Sequence, residues 1–217
     1  MGRLDYSVFG YWAQVYSLKG SLIDSGDNEQ FDFDGTTYMG ELPTFISAKA
    51  ANKAGYDSGA TYQPFKGVAS GLAKYGDDTK GYEDVTAIVG SATLALNNSG
   101  GGTLDLDFDK LKLNGTVTAA NNGALTGSFT GWQGSVGAYP ALPDKEEVGA
   151  GKAYVYFDEY ESAADANKIS GQLYGDNGAV ASEAAGGWHL KIASGDQNDN
   201  AQKWRVEGAF GVKAPTP

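Results

Sequence analysis

The stretch "GGTLDLDFD" constrains this chain more than any other. Leu104, Leu106 and Phe108 fall on one side, and Asp105, Asp107 and Asp109 on the other. Strict period-two alternation is the mark of a strand with one face on a core and one in water, and no helix accommodates it. The same period returns repeatedly. "KLKLNGTVTAANN" sets Leu111, Leu113, Gly115 and Val117 together, and Leu125, Gly127 and Phe129 follow after Asn122-Gly123, a hairpin turn signal. "QKWRVEGAFGVK" aligns Trp204, Val206, Gly208, Phe210 and Val212. "DVTAIVGSATLALNN" places Val85, Ala87, Val89, Ser91, Thr93 and Ala95 on one face, while "TYQPFKGVASGLAKY", "KISGQLYG" and "GGWHLKIAS" alternate more loosely. Eight or nine strands at a spacing of about 8–12 residues, with turn signals between, specify an antiparallel sandwich or barrel.

Glycines at 71, 115, 127 and 208 fall on inward faces, where a tightly curved wall needs room for a neighbouring ring. Closure also removes the exposed sheet edges that so many strands would otherwise leave. The expected fold is all-β: an eight-stranded antiparallel up-and-down β-barrel with two long loop/short-helix insertions. One domain is expected over 1–217, with barrel strands at about 4–18 and 61–213 and insertions at about 19–60 and 136–167. The first and last strands, both long and aromatic, are expected to pair and close the barrel.

The opening "LDYSVFGYWAQVYSL" raises a question of its own. Aromatic residues lie on both of its faces, with Tyr6 and Trp12 on one and Phe9 and Tyr11 on the other. The outer face therefore needs something to pack on: the 19–60 segment, the 136–167 insertion, or a domain upstream. Met1-Gly2-Arg3 running straight into a strand suggests a start from which a leader or a whole domain has been removed. Within 19–60, "TFISAKAANKAGY" carries Phe45, Ile46, Ala50 and Ala54 near a helical period, with Thr44 or Ser47 as cap and Gly55 as stop. "FDEYESAADANK" reads as a second short helix.

Composition narrows the function. Sixteen basic residues against 27 acidic give a formal charge of −11, the wrong sign for a nucleic-acid binder or for docking on an anionic membrane. No apolar run is long enough for a membrane helix. With no cysteine there is neither a disulfide framework nor a thiolate metal site. The one histidine, His189, alternates with Trp188, Leu190 and Ile192, which places it and Lys191 on the solvent side if Trp188 faces inward. A Ser-His-Asp triad around a surface histidine is not expected, and neither is enzymatic activity. Asp105, Asp107 and Asp109 have the spacing of a calcium site or a glycosidase pair, but a solvated outer face accounts for them. "GDNEQFDFDG" and "SGDQNDNAQ" lack the spacing of a calcium-binding loop. No metal site and no resident cofactor are expected.

Three pieces in order resemble a known family. "GSATLALNNSGGGTLDLDFDKLKLNGTVTA", then "ISGQLYGDNGAVASEAAGGWHLKI", then the terminal "EGAFGVK" are similar to the C-terminal barrel of the transferrin-binding protein B-like family, the Slam-dependent surface and secreted proteins that include the hemophilin-like members. "YSVFGYW" is similar to the strand that opens the barrel half in many members. Asp176 stands where a proline or small residue is usual, the loop from Asp176 to Ala185 is long, and 136–167 looks inserted. The resemblance implies a Gram-negative outer-membrane lipoprotein or secreted protein without enzymatic activity. It implies binding of a host or nutrient-carrying protein, and export by a dedicated outer-membrane translocator. Haem is the alternative ligand that it implies. His189, Met39 and the tyrosines are the side chains able to ligate haem, and two-histidine ligation within the chain is impossible. A third alternative is a structural barrel supporting an upstream binding domain. Tyr11, Tyr16, Tyr38, Tyr56, Tyr139, Tyr156 and Tyr160 lie in or beside the long non-barrel segments and are the candidate partner-binding residues, because aromatic rings bury area at little entropic cost.

Overall fold

The computed structural model describes residues 2–3, 7–11, 15–23, 30–38, 44–48, 53–77, 81–135, 153–155, 166–175, 180–196 and 199–215. It describes side chains for 53–76, 86–135, 166–175, 180–193 and 203–215. The strands are β1 (Gly2–Arg3), β2 (Ser7–Tyr11), β3 (Val15–Ile23), β4 (Gln30–Tyr38), β5 (Thr44–Ala48), β6 (Phe65–Asp77) and β7 (Gly81–Leu96). They continue as β8 (Gly101–Asp107), β9 (Leu111–Ala119), β10 (Ala124–Gly134), β11 (Ala153–Val155), β12 (Asn167–Tyr174), β13 (Glu183–Asp196) and β14 (Asp199–Lys213).

Eight of these, β6 to β10 and β12 to β14, pair in sequence order, each antiparallel to the next. β14 then pairs with β6 from Gln202↔Asp77 to Lys213↔Lys66 and closes an up-and-down barrel. Closure thus differs from the expectation that the opening strand would seal against the last one. The described residues of 4–18 lie in β2 and the start of β3, neither of which belongs to the barrel sheet. β6 runs 13 residues through the glycine-rich "FKGVASGLAKYGD" and takes the closing position instead.

The core fills the barrel with alternate side chains. β9 buries every second residue from Leu111 to Ala119, and β8 buries Leu104 and Leu106 between exposed neighbours. β7 presents Ile88, Ala92, Leu94 and Leu96 inward, so the face carrying Val89, Ser91 and Thr93 is the outer one. The rings of Phe65, Phe108, Phe129, Trp132, Trp188, Trp204 and Phe210 are all buried. Phe108 lies 5.5 Å from Trp188, and Phe129 meets Trp188 edge-on at 6.2 Å. Opposite Trp188, Gly208 and Gly71 pair across β14 and β6, and a Cβ on either would come within 3 Å of Trp188 Cζ2. Two inward glycines are thus the space that an indole occupies.

Two tight hairpins shape one end. In Asn97–Gly100, and again in Ala120–Gly123, the glycine N–H donates to the carbonyl three residues back, at 3.1 and 2.7 Å. Gly100 and Gly123 have φ of 83° and 78°, the left-handed closing position of such loops. The Asn122-Gly123 signal was therefore a turn, with only the glycine left-handed.

Outside the barrel sheet, the predicted irregular segment contains strands. Thr44–Ala48, expected as helix, is β5, paired along its whole length with β2 from Ser7↔Ala48 to Tyr11↔Thr44. Its apolar residues gain a partner strand far away in sequence, which outweighs a weak helical period. β1 adds to the other edge of β2, giving a three-stranded ribbon. This ribbon and the barrel belong to one compact unit, residues 1–11 and 44–217, and β2 and β5 lie against β13 and β14. Residues 12–43 form a second unit built on the β3–β4 hairpin, paired from Val15↔Tyr38 to Ile23↔Gln30. The helix expected at 157–168 lies mostly outside the described residues; its last two positions, Asn167 and Lys168, begin β12.

Candidate functional site

The chain from Lys53 to Pro64 crosses the end of the barrel that carries the two hairpins. Ala54 is buried, its N–H donates to the Leu173 carbonyl at 3.1 Å, and Lys53 bridges to Tyr174. The Tyr56 hydroxyl donates to the Asn97 carbonyl at 2.7 Å and accepts from the Gly100 N–H at 2.9 Å. Its ring stacks on Tyr62, which stacks in turn on Phe65. The Tyr62 hydroxyl accepts from the Asp57 N–H at 2.9 Å. This strap covers the apolar barrel end and fixes a turn that would otherwise face water. Burial alone pushes the Tyr174 phenol up from its ordinary range.

Tyr56 is therefore engaged by the barrel's own backbone. Of the other candidate residues, Tyr11 lies in β2, Tyr16 in β3 and Tyr38 in β4. Tyr139, Tyr156 and Tyr160, and also Met39, lie outside the described residues.

The outer wall of the barrel has two kinds of surface. Across β8, β9 and β10 the outward residues are mostly exposed: Thr103, Asp105, Lys112, Asn114, Thr116, Thr118 and Thr126 face solvent. The expected acidic row sits here, and cross-strand partners account for its carboxylates. Asp105 accepts from Asn114 Nδ2 at 2.8 Å, and Asp107 meets Lys112 Nζ at 3.0 Å. The Lys112 hydrogen bond holds the Asp107 carboxyl below its ordinary range against an opposing desolvation, with further help from the Asp109 N–H and the Lys112 charge. Asp109 leaves the row, because it forms the β8–β9 turn with φ of 68°. Among the described residues no group of three or more His, Asp or Glu side chains could hold a metal ion.

Across β13, β14 and the later half of β6 much of the outward face is buried instead, although Lys66 and Val68 at the start of β6 are exposed. Lys74, Lys191, Glu183 and Glu207 are each at most 4% exposed. Glu207 accepts from Lys74 Nζ at 3.0 Å through one oxygen, and from Arg205 Nε and Nη2 at 3.0 and 2.9 Å through the other. His189, opposite Glu207 in the register, is half-buried on the same face. The expectation that His189 and Lys191 face solvent is thus right about the side of the wall and wrong about the solvent. The β2–β5 ribbon lies over this wall, and Ala185, Gly187, Ala193, Ala209 and Gly211 give it a low surface to rest on. Alternation reports the side of a sheet, not what covers it. The one available signal was the run of small outward residues in "EAAGGWHLKIAS" and "EGAFG".

The site therefore combines a sealed, side-chain-filled cylinder with one covered and one open wall. An antiparallel eight-stranded barrel with a packed interior is the class that the geometry defines. Comparison with protein-family models and with curated proteins returned no match to this chain.

Proposed function

We propose that the chain is a non-enzymatic bacterial binding protein of the transferrin-binding protein B-like class. It is displayed at the cell surface as an outer-membrane lipoprotein or secreted, and it engages a host or nutrient-carrying protein. The observation that carries this reading is the placement of the three resembling segments. They supply β7–β8–β9, β12–β13 and the end of β14, in the order of one closed eight-stranded barrel, the fold that the resemblance implied. The packed interior favours recognition through outer surfaces and loops over enclosure of a large ligand. The net charge of −11 suits a protein partner better than nucleic acid.

The reading is tested by immobilising the full chain and passing transferrin, a haem-carrying serum protein and a complement regulator over it. Saturable binding of one of them, reduced by substitutions at the candidate tyrosines, is the expected result. Failure of all three to bind, together with a sharp Soret band on adding hemin, would replace the partner reading with the haem-carrier alternative. Display is tested separately: with its translocator co-expressed, the chain should become accessible to protease on intact Gram-negative cells.

A further inference from the structure

We propose that Asn97, in the β7–β8 turn, is an acceptor for N-linked glycosylation, taking a hexosyl group from a nucleotide-activated sugar. The sequence holds two Asn-X-Ser/Thr tripeptides with X other than proline, Asn97-Asn98-Ser99 and Asn114-Gly115-Thr116. This tripeptide is the acceptor rule for a sugar on an asparagine amide, and it is used where the chain is exposed. The rule alone does not choose between the two. Their places in the barrel do.

Asn97, Asn98 and Ser99 are all exposed. They form the tip of a hairpin whose base is closed by the Asn97 N–H on the Gly101 carbonyl at 2.8 Å. Within the tip, Asn97 Oδ1 accepts from the Ser99 N–H at 2.9 Å and from the Ser99 hydroxyl at 2.7 Å. The amide and the hydroxyl that the motif requires are therefore side by side on the surface. Both hydrogen bonds engage the oxygen, so Nδ2 is the end of the amide left to solvent. Gly101 lies beside Nδ2 and has no side chain to cover it: a Cβ there would stand 3.4 Å away. The Tyr56 hydroxyl fixes the same turn through the Asn97 carbonyl and the Gly100 N–H, and so occupies neither side chain of the motif.

Asn114 has the same motif and the opposite surroundings. Its tripeptide lies in the middle of β9 and is paired on both edges, Asn114 with Asp105 of β8 and Gly131 of β10, and Thr116 with Thr103 and Ser128. Its Nδ2 donates to Asp105 Oδ1 at 2.8 Å. A transferase must take up the backbone of the tripeptide, and strands about 4.8 Å away on either edge leave no room for it. Reaching Asn114 requires a core strand to open, whereas the exposed turn is reached in the folded state. The transfer forms a bond from Nδ2 to the anomeric carbon of the sugar and breaks the bond from that carbon to the phosphate oxygen. The nucleoside diphosphate leaves with the electron pair, and a base of the transferase takes the amide proton. This inference stands apart from the partner reading, because the turn lies at the strap end of the barrel and modification of it requires no particular partner.

The test incubates the folded full chain with UDP-glucose and a soluble bacterial N-glycosyltransferase of Asn-X-Ser/Thr specificity. The readout is the hexosyl mass on each proteolytic peptide. The expected result is a single hexose, on Asn97, with Asn114 modified about a hundredfold more slowly or less, the cost of opening β9. Synthetic peptides of residues 92–103 and 109–120 should take up hexose at rates within a few-fold of one another, which assigns the difference to the fold. Asn97→Asp keeps the oxygen that accepts from Ser99 and removes the nitrogen, so it should abolish uptake with the circular dichroism spectrum unchanged. Ser99→Ala should abolish uptake as well. Asn97 left bare in the folded chain, or Asn97 and Asn114 modified at equal rates there, would overturn the proposal.

Discussion

Gly71 shows how much of this barrel is decided by atoms that are missing. A methyl group there would meet the Trp188 ring at 2.9 Å and the Glu207 backbone more closely still. Neither neighbour can yield: the ring is wedged against Phe108 and Phe129, and the backbone is part of the closing ladder. Gly71→Ala should therefore destabilise the fold by about 2 kcal/mol, as overpacking a filled core does, seen as a lower urea midpoint at unchanged slope. An unchanged midpoint would mean that the interior is looser than drawn. On the open wall, single residues matter to titration more than to stability. The Lys112 hydrogen bond depresses the Asp107 pKa, so the stabilisation is present above the unfolded-state value and is lost as pH falls through the folded one. Lys112→Met should raise the Asp107 midpoint toward the ordinary aspartate value of about 3.9, read from its carboxyl carbon resonance. Overall stability should barely respond, because the pair is nearly half exposed, at 47% and 45%. Inward glycine was readable from the sequence by parity alone. The burial of Lys191 was not, because no local pattern distinguishes an outward lysine in water from one beneath another sheet.

Among the elements, β8, β9 and β10 were legible because each has one wet face, so alternation in the sequence equals alternation in burial. β7 was legible as a strand but not in its orientation. Valines at 85 and 89 compete with Ile88 and Leu94, and only pairing with β8, Leu94 opposite Leu104, decides which face turns inward. β5 was misread as helix because its stabilising partner, β2, lies about 35 residues upstream, beyond any window in which periodicity is judged. Tyr56 was expected to meet a partner, yet its hydroxyl ties the strap to the β7–β8 turn. That gives an element-level prediction. Tyr56→Phe keeps the stack on Tyr62 and removes two hydrogen bonds, so the fold should lose about 1–2 kcal/mol. Amide exchange should accelerate at Gly100 and Ala54 and stay unchanged at Leu113 in the middle of β9. Acceleration spread evenly over the barrel would mean that the strap has no independent role as a clasp.

For the molecule as a whole, the opening stretch with aromatic residues on both faces has a physical account. Its β2 portion lies in a ribbon against the outside of β13 and β14, so among the described residues that wall carries a second layer of sheet. Covering a wall that carries Lys74, Lys191, Arg205 and Glu207 is costly, since each charge must find a partner away from water. Glu207 meets part of that demand by taking Lys74 on one oxygen and Arg205 on the other. On the proposed reading, a partner protein that reads the barrel from outside would meet the exposed outward residues of β8, β9 and β10 rather than the wall under the ribbon. Amine acylation tests this division directly. In the full chain, brief treatment should modify Lys110 and Lys112, both exposed, while Lys74 and Lys191, each 3% exposed, stay unmodified. Removing residues 1–48 should leave the β-rich circular dichroism spectrum of the barrel in place and bring Lys74 and Lys191 to rates within a few-fold of Lys112. Protection that persists without the ribbon would place the cover elsewhere. Equal labelling of all four lysines in the full chain would mean that the ribbon does not cover this wall.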